Sequence, residues 1–380
     1  YSNILGDTVG FVITNDNGSV NWGSGIIDVD PVFVDSANGN YHLLATSQLI
    51  NGGHPDSTDT DGTIADIGAY PYLNSYSGPT WYITEEGNDT TGTGASNDPF
   101  RSIQAGINFS SNTDSVTVAA GTYVENINFR GRNIVVAGEH RETTIIDGNQ
   151  NGSVVSFTTG ETHDAKLQGF TITNGLNETV GGGGIYVNIS SPTLHNLIIE
   201  NNTGDSGGGI SIDNQCNVVM TDLIVRNNTA TMRAGGIFVW GNVTYSLRNS
   251  LVSNNTAPHA GGVFQGYSIV PLIDNCTITE NTATDHGGGL VCQNLLENDN
   301  AVISESIITG NTAPIGAQLY VAGYPDTWQE GNSPRTTISY SNVQMDDETD
   351  YFESDNGVTS WGSGNIDVDP MFVDTANGNY

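Results

Sequence analysis

From about residue 155 to 310 the apolar positions recur in short alternating runs, as in Leu197-Ile198-Ile199-Glu200, Leu223-Ile224-Val225-Arg226 and Cys276-Thr277-Ile278-Thr279. Alternation with period two reads as half-buried strands, and no stretch of comparable length keeps helical spacing. The runs are themselves periodic. Glycine clusters precede Ile185, Ile210, Ile237, Val263 and Leu290 at spacings of 25, 27, 26 and 27 residues. An Asn-Thr pair follows the same beat, with its asparagine at Asn202, Asn228, Asn255, Asn281 and Asn311. Aligned on that pair, Ile199, Val225, Val252, Ile278 and Ile308 fall in one column, and Leu197, Leu223, Ser250, Cys276 and Ser306 in another. Two residues apart, both columns are expected to point into a core. The column between them, Ile198, Ile224, Leu251, Thr277 and Ile307, is then expected to face outward. It is unusually apolar for a solvated face, which makes Ile198, Ile224, Leu251 and Ile307 a candidate contact stripe, covered by the chain's own tail or by a neighbouring filament.

A period near 26 predicts a coil of two or three short strands per turn, each strand pairing in register with its equivalent one turn on. The five asparagines are expected to stack as a turn ladder, their amides bonding above and below. Glycine supplies another corner, where a Cβ would clash. The fold class is therefore all-β: a parallel β-helix, or solenoid, with short capping segments.

A second repeat is longer. Trp22 to Tyr41, WGSGIIDVDPVFVDSANGNY, returns as Trp361 to Tyr380, WGSGNIDVDPMFVDTANGNY, identical at 17 of 20 positions and offset by 339 residues. Tyr1-Ser2-Asn3 and Tyr340-Ser341-Asn342 keep the same offset. Tandem units of about 339 residues are expected to extend in both directions. Residues 1–75 then read as the C-terminal part and closing cap of a preceding unit, 76–339 as a β-helix unit with an entry cap at about 81–112 and rungs at about 113–339, and 340–380 as the start of the next closing segment.

The stretch from about Trp81 to Val343 resembles the right-handed parallel β-helix repeat proteins, the pectin-lyase-like group. Its NNTA…GGG rungs are similar to the repeats of chlamydial polymorphic outer-membrane proteins. The opening TWYITEEGNDTTGTGASNDPFRSIQAGINFSSNTDSVTVAAGTYVENI is similar to the entry segment of such helices, which implies a short capping helix at Ile103 to Phe109. The segment IDVDPVFVDSANGNYHLLATSQLINGG…DTDGTIADIGAY resembles the closing segment of large secreted bacterial β-helix proteins. The resemblance implies a secreted, extracellular or cell-surface location. For activity it implies little, because one fold hosts many functions.

Composition narrows the partners. A net charge of −33, with only 9 Lys and Arg, argues against nucleic acid and anionic lipid. No apolar run reaches the length of a membrane span. Cys216, Cys276 and Cys292 form no metal-binding pair and read as buried small hydrophobes.

Divalent cations suit the charge better. Asp56, Asp59 and Asp61 alternate before Gly62, followed by Asp66, and resemble the start of a calcium loop without its closing Glu. They predict either an oxygen cage for calcium or a solvated acidic turn. His259 and His286, one rung apart before glycine clusters, read as turn residues or as two metal ligands lacking a third. Arg226 beside Asp222 is the nearest approach to a lyase site, and Asp346-Asp347 to a glycosidase pair. Trp240 and Trp328 are candidates for a sugar platform.

Three functions compete: a structural component of an extracellular filament, stalk or fibre, self-associating end to end; a carbohydrate-binding surface adhesin; and a polysaccharide lyase or glycoside hydrolase. The first is favoured by the long repeat. At ~4.8 Å per rung, a unit of a dozen or so turns would be roughly 60 Å long.

Overall fold

A computed structural model describes residues 1–4, 25–179, 181–267, 271–293, 300–322, 335–354 and 357–374. The chain forms two compact units, Tyr1–Ala119 and Ala120–Tyr380.

The larger unit is a parallel β-solenoid. One sheet of nine strands runs from Gly121–Val124 to Asn342–Val343, and a second, also of nine, from Ile127–Asn128 to Tyr351–Ser354. A third face runs from Val135–Gly138 to Val358–Trp361. Every neighbouring pair in them is parallel, and Ile198, Ile224, Leu251, Thr277, Ile307 and Asn342 follow one another in exact register. Between the first two faces, Leu176–Asn177, Thr203–Ser206, Thr229–Arg233, Thr256–His259 and Thr282–His286 add a sheet of five strands. These rungs therefore have four strands each, one more than the periodicity predicts. The extra strand follows the Asn-Thr marker, where alternating Thr and Ala extend the chain.

The two inward columns are buried as the alternation requires: Ile199, Val225, Val252, Ile278 and Ile308 are inaccessible, and Leu197, Leu223, Ser250, Cys276 and Ser306 nearly so. The asparagine ladder is continuous. Asn202 Nδ2 donates to Asn228 Oδ1 (3.0 Å), Asn228 to Asn255 (3.0 Å), Asn255 to Asn281 (2.9 Å), Asn281 to Asn311 (2.9 Å), and Asn311 to Gln318 Oε1 (2.9 Å). Each amide oxygen also accepts the backbone N–H of the asparagine before it, as Asn228 does from Asn202 at 3.1 Å. The left-handed backbone belongs to the preceding residue: Asn201, Asn227, Asn254 and Glu280 have φ of 57°, 55°, 56° and 54°. The ladder asparagine is thus selected for its amide and its neighbour for the turn.

The glycine corner has a different cause. A Cβ on Gly262 would lie 2.5 Å from the Gly289 carbonyl oxygen, and one on Gly288 2.5 Å from that of Ala317. Close stacking of backbone on backbone excludes side chains there.

The smaller unit holds the helix Ile103–Phe109, every residue of which is buried. It packs on the parallel strands Thr80–Ile83 and Ser115–Val118. Trp81, Phe100 and Phe109 stack in its core, and the Trp81 indole N–H donates to Asp114 Oδ2 (3.1 Å).

Candidate functional site

The smaller unit joins the two segments that sequence assigns to successive repeats. Asn108, on the helix and wholly buried, donates its amide to the carbonyls of Ala45 and Ser47, both at 2.9 Å, and its own carbonyl accepts from Asn51 Nδ2 (3.2 Å). Ala45 N–H donates to Asp89 O (2.8 Å), Tyr72 Oη to Gly92 O (2.7 Å), and Asn74 Nδ2 to Thr93 O (2.9 Å). Tyr72 also meets Phe109 edge to face at 5.2 Å. Leu43, Ala45, Leu49 and Ile50 are buried in the same unit. Residues 43–74 and 81–112, which the sequence reads as closing and entry segments, share one core.

The acidic motif folds the loop that makes these contacts. Asp59 Oδ2 accepts from the Asp66 N–H (2.8 Å), Asp61 Oδ2 from Asn74 N–H (2.9 Å), and the two Asp66 oxygens from Asn51 (2.8 Å) and Tyr72 (2.7 Å). Asp56 is exposed and lies 3.8 Å from His54 Nδ1. Burial pushes Asp66 up to about 6, against the pull of its two N–H donors and with the Asp59 and Asp61 charges adding to the rise. Asp61 is also resisted by burial, but the N–H groups of Asn74 and Thr63 hold it below the usual carboxylate range.

The duplicated segment makes the same contacts in both units. Asn3 donates to Val29 O (2.8 Å) and accepts from Val29 N–H (3.0 Å); Asn342 donates to Val368 O (2.8 Å) and accepts from Val368 N–H (3.1 Å). Strand Asn342–Val343 also pairs with Ile307–Ile308 on its other edge. Its counterpart Ser2–Asn3 pairs with Ile26–Ile27 and, among the described residues, with no second strand.

On the solenoid, the outward column carries Ile198 buried and Ile224, Leu251 and Ile307 half-buried. Arg141 reaches across it and donates to Asp222 O at 3.2 Å. Together they border an open groove of 390 Å³ that includes Ile224, Leu251 and Thr277. Arg226, the lyase candidate, donates to Glu200 Oε2 at 2.7 Å, and Asp222 faces His195 at 3.2 Å. Asp346 and Asp347 are exposed beyond the last long rung.

The second sheet has an outer aromatic face that alternation alone does not reveal. Phe238, Phe264, Val291 and Tyr320 occupy consecutive outward positions, yet the first three are buried. They pack on one another and on Ala234, Ala260 and the half-buried Trp240. Trp240 stacks on Phe238 and meets Tyr267 edge to face at 4.7 Å, leaving part of its indole open. Trp328 lies outside the described residues.

At the rim of this face stand His259, Asp285 and His286, the one group of three metal-ligating side chains brought within reach of a common point among the described residues. In sequence Asp285 carries no signal apart from its place beside His286. The bulged pairing of Thr256–His259 with Thr282–His286 sets the two imidazoles opposite each other. Burial and the facing His259 lower the affinity of His286 for a proton, with Asp285 opposing.

Comparison places the architecture. Residues 153–368 match the family model described as right handed beta helix region. No curated protein sequence matches the chain significantly. Among solved structures, a pectate lyase aligns over 78% of this chain and 84% of its own at 16% identity and a TM-score of 0.49. A pectin methylesterase from Aspergillus niger aligns over 78% and 94% at 11% identity and a TM-score of 0.47. The matched residues make up more than half of the sequence, and the chain belongs to the right-handed β-helix family.

Proposed function

We propose that the chain is a length of a stiff extracellular stalk or fibre, in which β-helix units of about 339 residues follow one another and join through the fold of residues 1–119. The supporting observation is the shared core of closing and entry segments, centred on the buried Asn108 amide. The matching hold of Asn3 on Val29 and of Asn342 on Val368 fits the same reading. Polar contacts of this density in a buried junction fix geometry, which a load-bearing connection needs and a flexible linker lacks. Antibodies against the solenoid, applied to intact producing cells under the electron microscope, should decorate surface fibres. Label confined to the cell interior would contradict the proposal.

A second reading rests on the outer aromatic face: a surface adhesin holding polysaccharide against Trp240. A part-open indole flanked by Tyr267 offers one sugar-stacking surface. On a glycan array, Trp240→Ala should abolish any signal that the native chain gives, whereas retention would remove this reading.

A further inference from the structure

We propose that His259, Asp285 and His286 form a site for one divalent transition-metal ion, with Zn²⁺ the best-matched species. The Asp285 Oδ2 atom sits between the two imidazoles, 2.9 Å from His259 Nδ1 and 3.2 Å from His286 Nδ1. Tetrahedral zinc with bonds of ~2.0–2.1 Å separates its ligand atoms by about 3.3 Å, so these spacings approach the edges of such a tetrahedron.

A simple His–Asp hydrogen bond accounts for only half of the group. His286 Nδ1 bonds to the carboxylate in the ordinary way. His259 Nδ1 is shut off from solvent and, among the described residues, makes no hydrogen bond, although the same oxygen is within reach. A buried nitrogen without a partner is destabilising, and a cation between nitrogen and carboxylate would supply the missing partner.

The donor set selects the metal. Two imidazoles and one carboxylate suit a borderline cation, whereas calcium and magnesium take oxygen. The site is also braced. The His259 and His286 rings lie 4.6 Å apart, and His286 stacks on Tyr320 at 4.3 Å, so both imidazoles are held by the rung register. Arg233, one rung before His259, brings a positive charge to the neighbourhood and weakens the binding of any cation there. Asp285 is exposed, so the fourth position opens to solvent and could accept water or an outside ligand.

Titration calorimetry of the metal-free full chain with ZnCl₂ tests this. One Zn²⁺ per chain is expected, weakened at least about tenfold by His259→Gln, His286→Gln or Asp285→Asn and unchanged by His54→Gln. Co²⁺ should give the visible absorption of a four-coordinate ion with the native chain and lose it with the same three variants. Should a histidine variant fail to fold, Asp285→Asn carries the expectation alone, because its side chain is exposed. Absence of Zn²⁺ binding by the folded native chain, or binding that survives all three substitutions, would overturn the assignment.

Discussion

Single residues carry most of what distinguishes this solenoid from a generic stack of strands. Asn228 is 1% exposed and its amide makes four hydrogen bonds to three residues, so Asn228→Ala takes the acceptor from the Asn202 N–H and the donor from the Ile199 carbonyl, and leaves the Asn255 amide oxygen with only the backbone N–H of residue 228. A loss of about 2–4 kcal/mol is expected in urea unfolding of that variant. Replacement of the exposed Asn249 should cost far less. The thiols of Cys216, Cys276 and Cys292 are pushed up to about 11 by burial. All three should resist a thiol reagent at neutral pH in the folded chain and react on unfolding; rapid labelling of the native state would refute their burial. Asp66, raised to about 6, binds its proton more tightly in the folded chain than in the unfolded one. Its contribution therefore favours folding increasingly as pH falls from neutral through 6 towards the ordinary carboxylate value, and is lost as pH rises again. The difference in melting temperature between native chain and Asp66→Asn should follow that trend across the same window.

At the scale of elements, strands were legible from alternation and rung length from the spacing of Gly and Asn-Thr markers, because in-register stacking repeats the same environment every turn. The inward columns at Ile199 and Leu197 and the helix at Ile103–Phe109 stand where the pattern and the resemblance put them. Other features depend on what crosses a face, and a period cannot report that. Phe264 lies on an outward position yet is 1% exposed, because Phe238, Val291 and Trp240 gather around it. Asp285 joins His259 only through a bulge between adjacent strands. Arg141 comes to the Ile224 column from another turn of the coil, 81 positions before the Asp222 carbonyl that it meets. Truncation of Phe264 should consequently behave as a core substitution, at about 3–5 kcal/mol, rather than as a change on a solvated strand. Gly262→Ala should be similarly severe, since its Cβ would meet backbone that has no room to shift.

For the whole molecule, the duplication at 339 residues turns a fold into a proposal about assembly. The first 41 residues were readable as a copy of the last 41 because their spacing is unbroken, and Asn3 and Asn342 hold Val29 and Val368 in the same way. The contacts that join residues 43–74 to residues 81–112 were not readable: Asn108 and Ala45 carry no periodic marker, and each partner is defined only once the loop between them is folded. If that weld is the device that makes a stalk, Asn108→Ala should loosen the junction by about 2–4 kcal/mol and expose residues 43–74 to protease first. The most direct measurement is electron cryomicroscopy of the native material, with the axial repeat read from continuous particles. The account predicts stiff fibres repeating at roughly 60 Å, a dozen or so rungs at ~4.8 Å each. Separate short rods, or beads on flexible connections with no fixed repeat, would contradict it.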